Sequence, residues 1–236
     1  WSVYGGVSQA FRAPNLNDLT GNTYSLNGLN SSGSINADPE EYVNYELSTR
    51  YMKDDFTFGI TTYYNDIQDK LVRVDDGLGG TTSSNGGEGY VFGIELDTSY
   101  RFNENWEARM FAAWQDGKEK NPKDLNGPLL SDTINRMHPL MGGASLRWTS
   151  TDKRFWVESR IRAAATVSNL NEALDNSGND NTRIPSGGTP NYLVASLYTG
   201  YQVNENLELT LGLENITDDD YRYHGSGQNE PGFNAV

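Results

Sequence analysis

Apolar and polar positions alternate along this chain with a period of two. Residues 42 to 52 place Val43, Tyr45, Leu47, Thr49 and Tyr51 on one face and Asn44, Glu46, Ser48 and Arg50 on the other. Residues 90 to 102 set Tyr90, Phe92, Ile94, Leu96, Thr98 and Tyr100 against Gly93, Glu95, Asp97, Ser99 and Arg101. Trp106, Ala108, Met110, Ala112 and Trp114 alternate with Glu107, Arg109 and Gln115, and Leu207, Leu209, Leu211 and Leu213 with Glu208, Thr210 and Glu214. Successive side chains of a strand point to opposite faces, so this spacing predicts β-structure, and helical spacing fails almost everywhere. It predicts nine strands, at about 1–11, 42–52, 56–65, 90–102, 106–115, 139–149, 154–167, 192–203 and 207–214. In each, one parity carries no charge. A one-residue slip would expose the wrong set, so a charge-free face kept across every segment reflects one common environment on that face.

The connections alternate as well. Short polar turns at 53–55, 103–105, 150–153 and 204–206 separate long Gly/Asn/Ser-rich stretches at about 13–41, 66–89, 116–138, 168–190 and from 216 onward. Tight turns on one side and long loops on the other, with an apolar outer band and a polar interior, describe a transmembrane β-barrel. Tyr51, Phe56, Tyr100, Phe102, Trp106, Trp148, Phe155, Trp156 and Tyr201 lie beside the short turns, the places of an interfacial aromatic girdle. Asn103-Glu104-Asn105 and Asn204-Glu205-Asn206 look like one turn used twice. A soluble carbohydrate-binding β-sandwich also alternates, but gives no reason for the long-short rhythm of its loops. Lipid does give a reason for the charge-free parity, because Arg or Lys facing the bilayer midplane costs about 2 to 4 kcal/mol.

Composition sharpens this picture. Only 36% of the 236 residues are hydrophobic and the mean hydropathy is −0.67, too little apolar material for a large dry core. Cysteine is absent, which removes disulfides and Cys-based metal sites. No run reaches the roughly 18 to 20 apolar residues of a membrane helix. A net charge of −14 argues against a nucleic-acid partner, which would need a basic surface.

Three motifs then carry a resemblance. Ser8-Gln9-Ala10-Phe11-Arg12-Ala13-Pro14-Asn15-Leu16 resembles the Phe-Arg-Ala-Pro box in the barrel of TonB-dependent outer-membrane receptors. Pro39-Glu40-Glu41 followed by Asn44-Tyr45-Glu46-Leu47 looks like the family's next element. Residues 191–222, ending in Leu213-Glu214-Asn215-Ile216-Thr217-Asp218 and Tyr221-Arg222, are similar to its penultimate hairpin. The family barrel has 22 strands around a plug, so the resemblance implies that residues 1–236 are part of the barrel domain, with these strands as the thirteenth to the twenty-first. Plug, early strands and final strand would lie outside this stretch. The resemblance further implies a Gram-negative outer membrane, with its lipid and lipopolysaccharide, and a TonB complex acting through the plug. The implied cargo is a ferric siderophore, or haem. A passive porin-like channel is the runner-up from strand pattern alone.

The candidate ligand-binding residues are Arg12, Asn15, His138 and His224. Arg12 and Pro14 stand where a strand enters an external loop; either that loop touches cargo or plug, or Pro14 ends the strand and Arg12 lines the lumen. The haem reading expects a His between Pro14 and Pro39, and there is none. His138 and His224 fall in other external loops, each alone in the sequence. Asp218-Asp219-Asp220 lacks the spacing of a Ca²⁺ loop and reads as a solvated turn. Glu95, Asp97, Arg101, Glu107, Arg109, Glu158, Arg160 and Arg162 fall on the charged parity and predict a lumen ladder of cross-strand pairs. No nucleophile motif, paired metal ligands or phosphate-cradling Gly loop is present, and no cofactor or enzymatic activity is expected.

Overall fold

The computed structural model describes residues 1–25, 28–125, 127–134, 136–171, 183–185 and 187–236. Part of the predicted 168–190 connection lies outside these residues. Among the described residues thirteen strands form one sheet: β1 (Ser2–Arg12), β2 (Thr23–Ser25), β3 (Gly28–Ser32), β4 (Glu40–Lys53), β5 (Phe56–Asp75), β6 (Thr81–Arg101), β7 (Trp106–Pro122), β8 (Leu129–Thr133), β9 (Met141–Thr149), β10 (Phe155–Ala164), β11 (Tyr192–Asn204), β12 (Leu207–Glu214) and β13 (Asn234–Ala235). The main order is β1-β4-β5-β6-β7-β9-β10-β11-β12-β13, every pair antiparallel. The nine predicted strands are all present, in sequence order, as an open up-and-down sheet.

Side-chain direction follows the predicted parity. Val3, Val7, Leu47, Met110, Ile161, Leu193, Leu209 and Leu211 are each at least half exposed on one face. Among the described residues the buried apolar cluster is only Ala164, Tyr192 and Val194. A sandwich would bury its apolar face between two sheets; here that face is open and continuous, the solvent it requires is lipid, and the sandwich alternative falls. Rings fringe the face at both ends. Trp1–Tyr51 (4.6 Å between ring centroids), Tyr51–Phe56 (6.0 Å), Phe56–Tyr100 (6.3 Å) and Tyr100–Phe102 (4.9 Å) form the belt beside the short turns. Tyr45–Tyr64 (6.5 Å), Tyr64–Tyr90 (5.8 Å) and Phe92–Trp114 (5.4 Å) form a second belt toward the long loops. From Phe56 to Tyr64 is about 27 Å along a strand, which a tilt of roughly 40° shortens to about 21 Å, a little under the roughly 25 Å apolar band of an outer-membrane barrel. Trp156 departs from its expected girdle place. It points inward, donating from Nε1 to Glu208 Oε1 at 3.0 Å under the Arg147 guanidinium, because its parity is that of the lumen-facing Glu158 and Arg160.

The short turns are set by side chains. Asn103 Oδ1 accepts from the amides of Asn105 (2.9 Å) and Trp106 (3.0 Å), and Asn204 Oδ1 accepts from Asn206 (2.9 Å), so both turns are Asx turns. They are not identical, because β11 carries a register shift between Gln202 and Asn204.

The long connections correct the sequence reading most. Residues 66–89 were expected as loop, yet β5 and β6 stay paired as far as Asp75↔Thr81, beyond the upper belt. Beyond the upper belt neither face meets lipid, so alternation is no longer imposed while the ladder continues, and Val74 there is buried at 1% exposure. The tip is closed by Asp76, whose Oδ1 accepts from Leu78 (2.7 Å) and Gly80 (3.0 Å), with Gly77 and Gly79 at φ 73° and 89°. In the same way β7 runs to Pro122 and pairs with β8, both inside the expected 116–138 loop. The 13–41 connection holds a five-residue helix, α1 (Leu16–Thr20), and the β2–β3 hairpin. At the other end, β10 stops at Ala164, three residues short of its predicted limit.

Candidate functional site

Two places at the loop end of the inner face gather the candidate residues. The first is the corner where β1 meets β4. Arg12 and Glu40 are register partners above the upper belt. Arg12 holds Glu40 bidentately, Nε to Oε2 and Nη2 to Oε1, both at 2.7 Å, and its Nη1 lies 3.3 Å from Asp18 Oδ2. The Glu40 carboxylate also accepts from the Tyr42 hydroxyl and, at 2.8 Å, from the Leu71 amide of β5. Glu40 is only 3% exposed. Burial pushes its carboxyl up, but the hydrogen bonds from Arg12, Tyr42 and Leu71 outweigh that and hold it at about 2. Burial, then the bond to Glu40, pushes the Tyr42 hydroxyl up to about 12. Asn15 caps α1: its Oδ1 accepts from the amides of Asn17 (2.8 Å) and Asp18 (3.0 Å), and Asp18 Oδ2 in turn accepts from the Asn15 amide (3.0 Å). Phe11 points outward and Arg12 inward, as parity requires, and Ala13-Pro14 leads straight out of β1 into the cap. Thus Arg12 and Asn15 are both engaged in building the corner. Glu40, quoted in a motif without a role, is its centre.

The second place is a recess under the 215–233 segment. Asn215, 2% exposed and at φ 49°, staples this segment: its Nδ2 donates to Asp219 O (2.9 Å) and Pro231 O (3.0 Å), and its Oδ1 accepts from the Asp219 amide (2.9 Å) and Thr217 Oγ1 (3.3 Å). Asp218 Oδ1 accepts from the Phe233 amide at 2.8 Å. So held, the segment folds onto the inner wall, where Tyr221 and Tyr223 pack on Tyr192 (4.7 and 6.1 Å) and Arg162 donates to the Tyr223 hydroxyl. The recess beneath has a volume of about 240 Å³ and is lined by both His138 and His224, together with Arg222, Tyr192, Glu95 and Met141. The histidines, isolated in sequence, therefore share one site. His224 is buried, its Nδ1 2.9 Å from Thr189 Oγ1; burial first, then the nearby His138 and Arg136, push its pKa below the usual 6.5. Tyr192, Thr189 and Tyr223 were not singled out in the sequence; Tyr192 belonged to the inner parity of a predicted strand, but nothing local marked its position under a loop.

Below both places the inner wall encloses a cleft of about 750 Å³. The ladder expected there is only partly cross-strand. Arg147, not anticipated, reaches across to Glu158 at 3.4 Å, while Glu158–Arg160 and Glu107–Arg109 (2.8 Å) pair along their own strands. Arg101 turns to Asp55 at 3.6 Å, and Glu95 and Asp97 form no ion pair among the described residues. No group of three or more metal-ligating side chains occurs among those residues.

An uncharged outer face, ring belts and a charged inner wall are the barrel traits that comparison with known proteins can decide. Residues 1–216 match the model of the TonB dependent receptor-like β-barrel. The chain belongs to the TonB-dependent receptor family. It is 25% identical to the iron-regulated outer membrane virulence protein of Vibrio cholerae, over 98% of this chain and 36% of that protein, and 24% identical to the ferric enterobactin receptor PirA of Pseudomonas aeruginosa, over 92% and 30%. The FrpB iron transporter from Neisseria meningitidis superposes over 99% of this chain and 35% of its own, with a TM-score of 0.74 at 17% identity. The chain thus spans about a third of the length of these relatives. This receptor barrel is an outer-membrane structure, and its family is one of transport receptors rather than enzymes.

Proposed function

We propose that the protein containing this chain binds a ferric siderophore at the loop end of its barrel and imports it, with energy delivered by TonB through a plug seated against the charged inner wall. The observation that carries the reading is the family match over residues 1–216, combined with an inner wall that keeps its charges and opens into recesses beneath the external loops. The names of the relatives, an iron-regulated outer membrane protein and a ferric enterobactin receptor, support iron chelates over other cargo. A passive porin-like channel does not account for the family match. Haem receives no support from the 13–41 segment, which contains no His. At the outer rim, lipopolysaccharide is the proposed neighbour of the upper ring belt. The test is radioiron uptake from ferric siderophores by iron-starved cells with and without the gene, each in the presence and absence of TonB. Uptake that needs both supports the reading; uptake indifferent to TonB defeats it.

A further inference from the structure

The outer face carries a feature at its short-turn end that cargo uptake does not use. A groove of about 330 Å³ opens there on the lipid side, lined by Trp106, Leu146, Trp148, Val157 and Ser159. Trp106 and Trp148 are register partners on β7 and β9, and Val157 and Ser159 continue the wall on β10. The Ser159 hydroxyl is turned to Leu146 O at 3.5 Å, so the wall presents hydrocarbon and indole. Directly below, the β9–β10 turn holds two cations side by side, Lys153 and Arg154. Lys153 reaches to one flank, where its Nζ donates to Glu104 O at 2.6 Å in the turn that precedes Trp106. Arg154 reaches to the other, Nε to Gln202 O (3.1 Å) and Nη2 to Val203 O (2.6 Å), with its guanidinium 5.5 Å from the centroid of the outward-facing Tyr201 ring.

Backbone carbonyls fix the direction of both cations and leave their charge standing. Neither forms an ion pair among the described residues, and two donors of Lys153 and the Nη1 group of Arg154 make no hydrogen bond there. Asp152 offsets part of this charge, but its Oδ1 is already taken by Ser150 Oγ (2.6 Å) and the Arg154 amide (3.1 Å). The other short turns carry Asp54, Asp55, Glu104 and Glu205, so the paired cations are local to this one. Short turns of an outer-membrane barrel face the periplasm, which puts Lys153 and Arg154 at the headgroup level of the inner, glycerophospholipid leaflet. A phosphodiester is the anion at that depth. It accepts charge-assisted hydrogen bonds from ammonium and guanidinium alike, and it brings a hydrocarbon chain of the kind the groove takes. A zwitterionic headgroup would set its own ammonium against Lys153 and Arg154, whereas a hydroxylated one would not. We propose that the Lys153–Arg154 turn and the Trp106–Trp148 groove form one binding site for an anionic glycerophospholipid, with the phosphodiester between the two cations and an acyl chain in the groove. The site rests on the outer-membrane placement of the barrel and is independent of the cargo.

The test offers the full-length receptor, in detergent, equal amounts of phosphatidylglycerol and phosphatidylethanolamine with matched chains, and counts each retained lipid by native mass spectrometry. Phosphatidylglycerol should be preferred about five-fold. Lys153→Gln and Arg154→Gln, made singly, should each lower that preference at least two-fold, and Lys53→Gln, in another short turn, should leave it unchanged. Ser159→Phe fills the groove from a lipid-facing position with both cations intact, and should weaken retention of both lipids. Equal retention of the two lipids by the unaltered receptor overturns the proposal. So does a preference that survives both turn variants, or one that Lys53→Gln lowers as much, which would mark a diffuse attraction to surface charge. Retention untouched by Ser159→Phe overturns the seating of the chain in the groove.

Discussion

The Arg12–Glu40 corner and the recess under residues 215–233 lie at the same end of the barrel, and they spend their polar groups in opposite ways. In the corner, the Glu40 carboxylate receives Arg12, Tyr42 and the Leu71 amide, and Asn15 and Asp18 satisfy one another across a helix cap. Little is left for a ligand. In the recess, Tyr192 is buried with an unmatched hydroxyl, and Arg222 and Glu95 face the same cavity without ion pairs among the described residues. Satisfied buried networks rigidify a structure, whereas unsatisfied ones are costly unless something else completes them. The polar groups of the Phe-Arg-Ala-Pro corner are thus engaged with one another, whereas Arg222 and Glu95 in the recess make no ion pair among the described residues.

That contrast can be broken or sharpened in order of expected effect. Asn215→Ala removes four hydrogen bonds and leaves a residue unsuited to φ 49°, so it should release the roof of the recess at a cost of about 4 kcal/mol; hydrogen exchange across 216–233 would reveal it, and unchanged protection would refute the staple. Glu40→Ala should cost about 2 to 3 kcal/mol, the value of a multiply bonded carboxylate, discounted because Arg12 is 43% exposed and can turn to water. Faster proteolysis of the 13–39 segment would show the loss.

The same corner should respond to acid. Its carboxyl titrates at about 2 instead of the ordinary 4.5, so its contribution is complete above about pH 4.5 and drains away as pH falls toward 2; pepsin cleavage of the 13–39 segment should rise across that window and not above it. His224 should act at milder pH, with a smaller effect. Its pKa is held below 6.5 in the folded state, so protonation favours a displaced segment: the roof is at full strength above pH 6.5 and weakens as pH drops below it. His224→Gln should flatten that dependence in a footprinting experiment on residues 219–230. Smallest of all, Tyr192→Phe should leave the melting temperature unchanged or raise it slightly, because its buried hydroxyl makes no hydrogen bond to lose and its removal relieves a desolvation cost. A clear destabilisation would mean that the hydroxyl is already partnered in the free protein.

How legible each part was follows from where its physical constraint resides. Val43, Tyr45 and Leu47 announced their face because lipid on one side and a polar lumen on the other impose a strict period of two. The β5–β6 extension did not announce itself, since Lys70, Arg73 and Thr82 lie beyond the lipid, where a ladder held by backbone bonds imposes no alternation. Trp156 lies beside a turn, as the girdle rings do, but its parity is that of the lumen face, and parity decides its direction. Arg12 was found by motif, but its partner Glu40 lies 28 residues away and only strand pairing unites them.

The amino-acid sequence by itself determined the class of fold, the number and order of the spanning strands, which side chains meet lipid, and the family. These depend on local alternation and short motifs, which any chain carries with it. Tertiary structure alone decided that β5, β6 and β7 run on above the membrane, that the 215–233 segment tucks inward, and that His138, Tyr192, Arg222 and His224 surround one recess. Those arrangements bring together residues from separate loops, and their proximity comes from sheet register and loop closure, which no local pattern in the chain encodes.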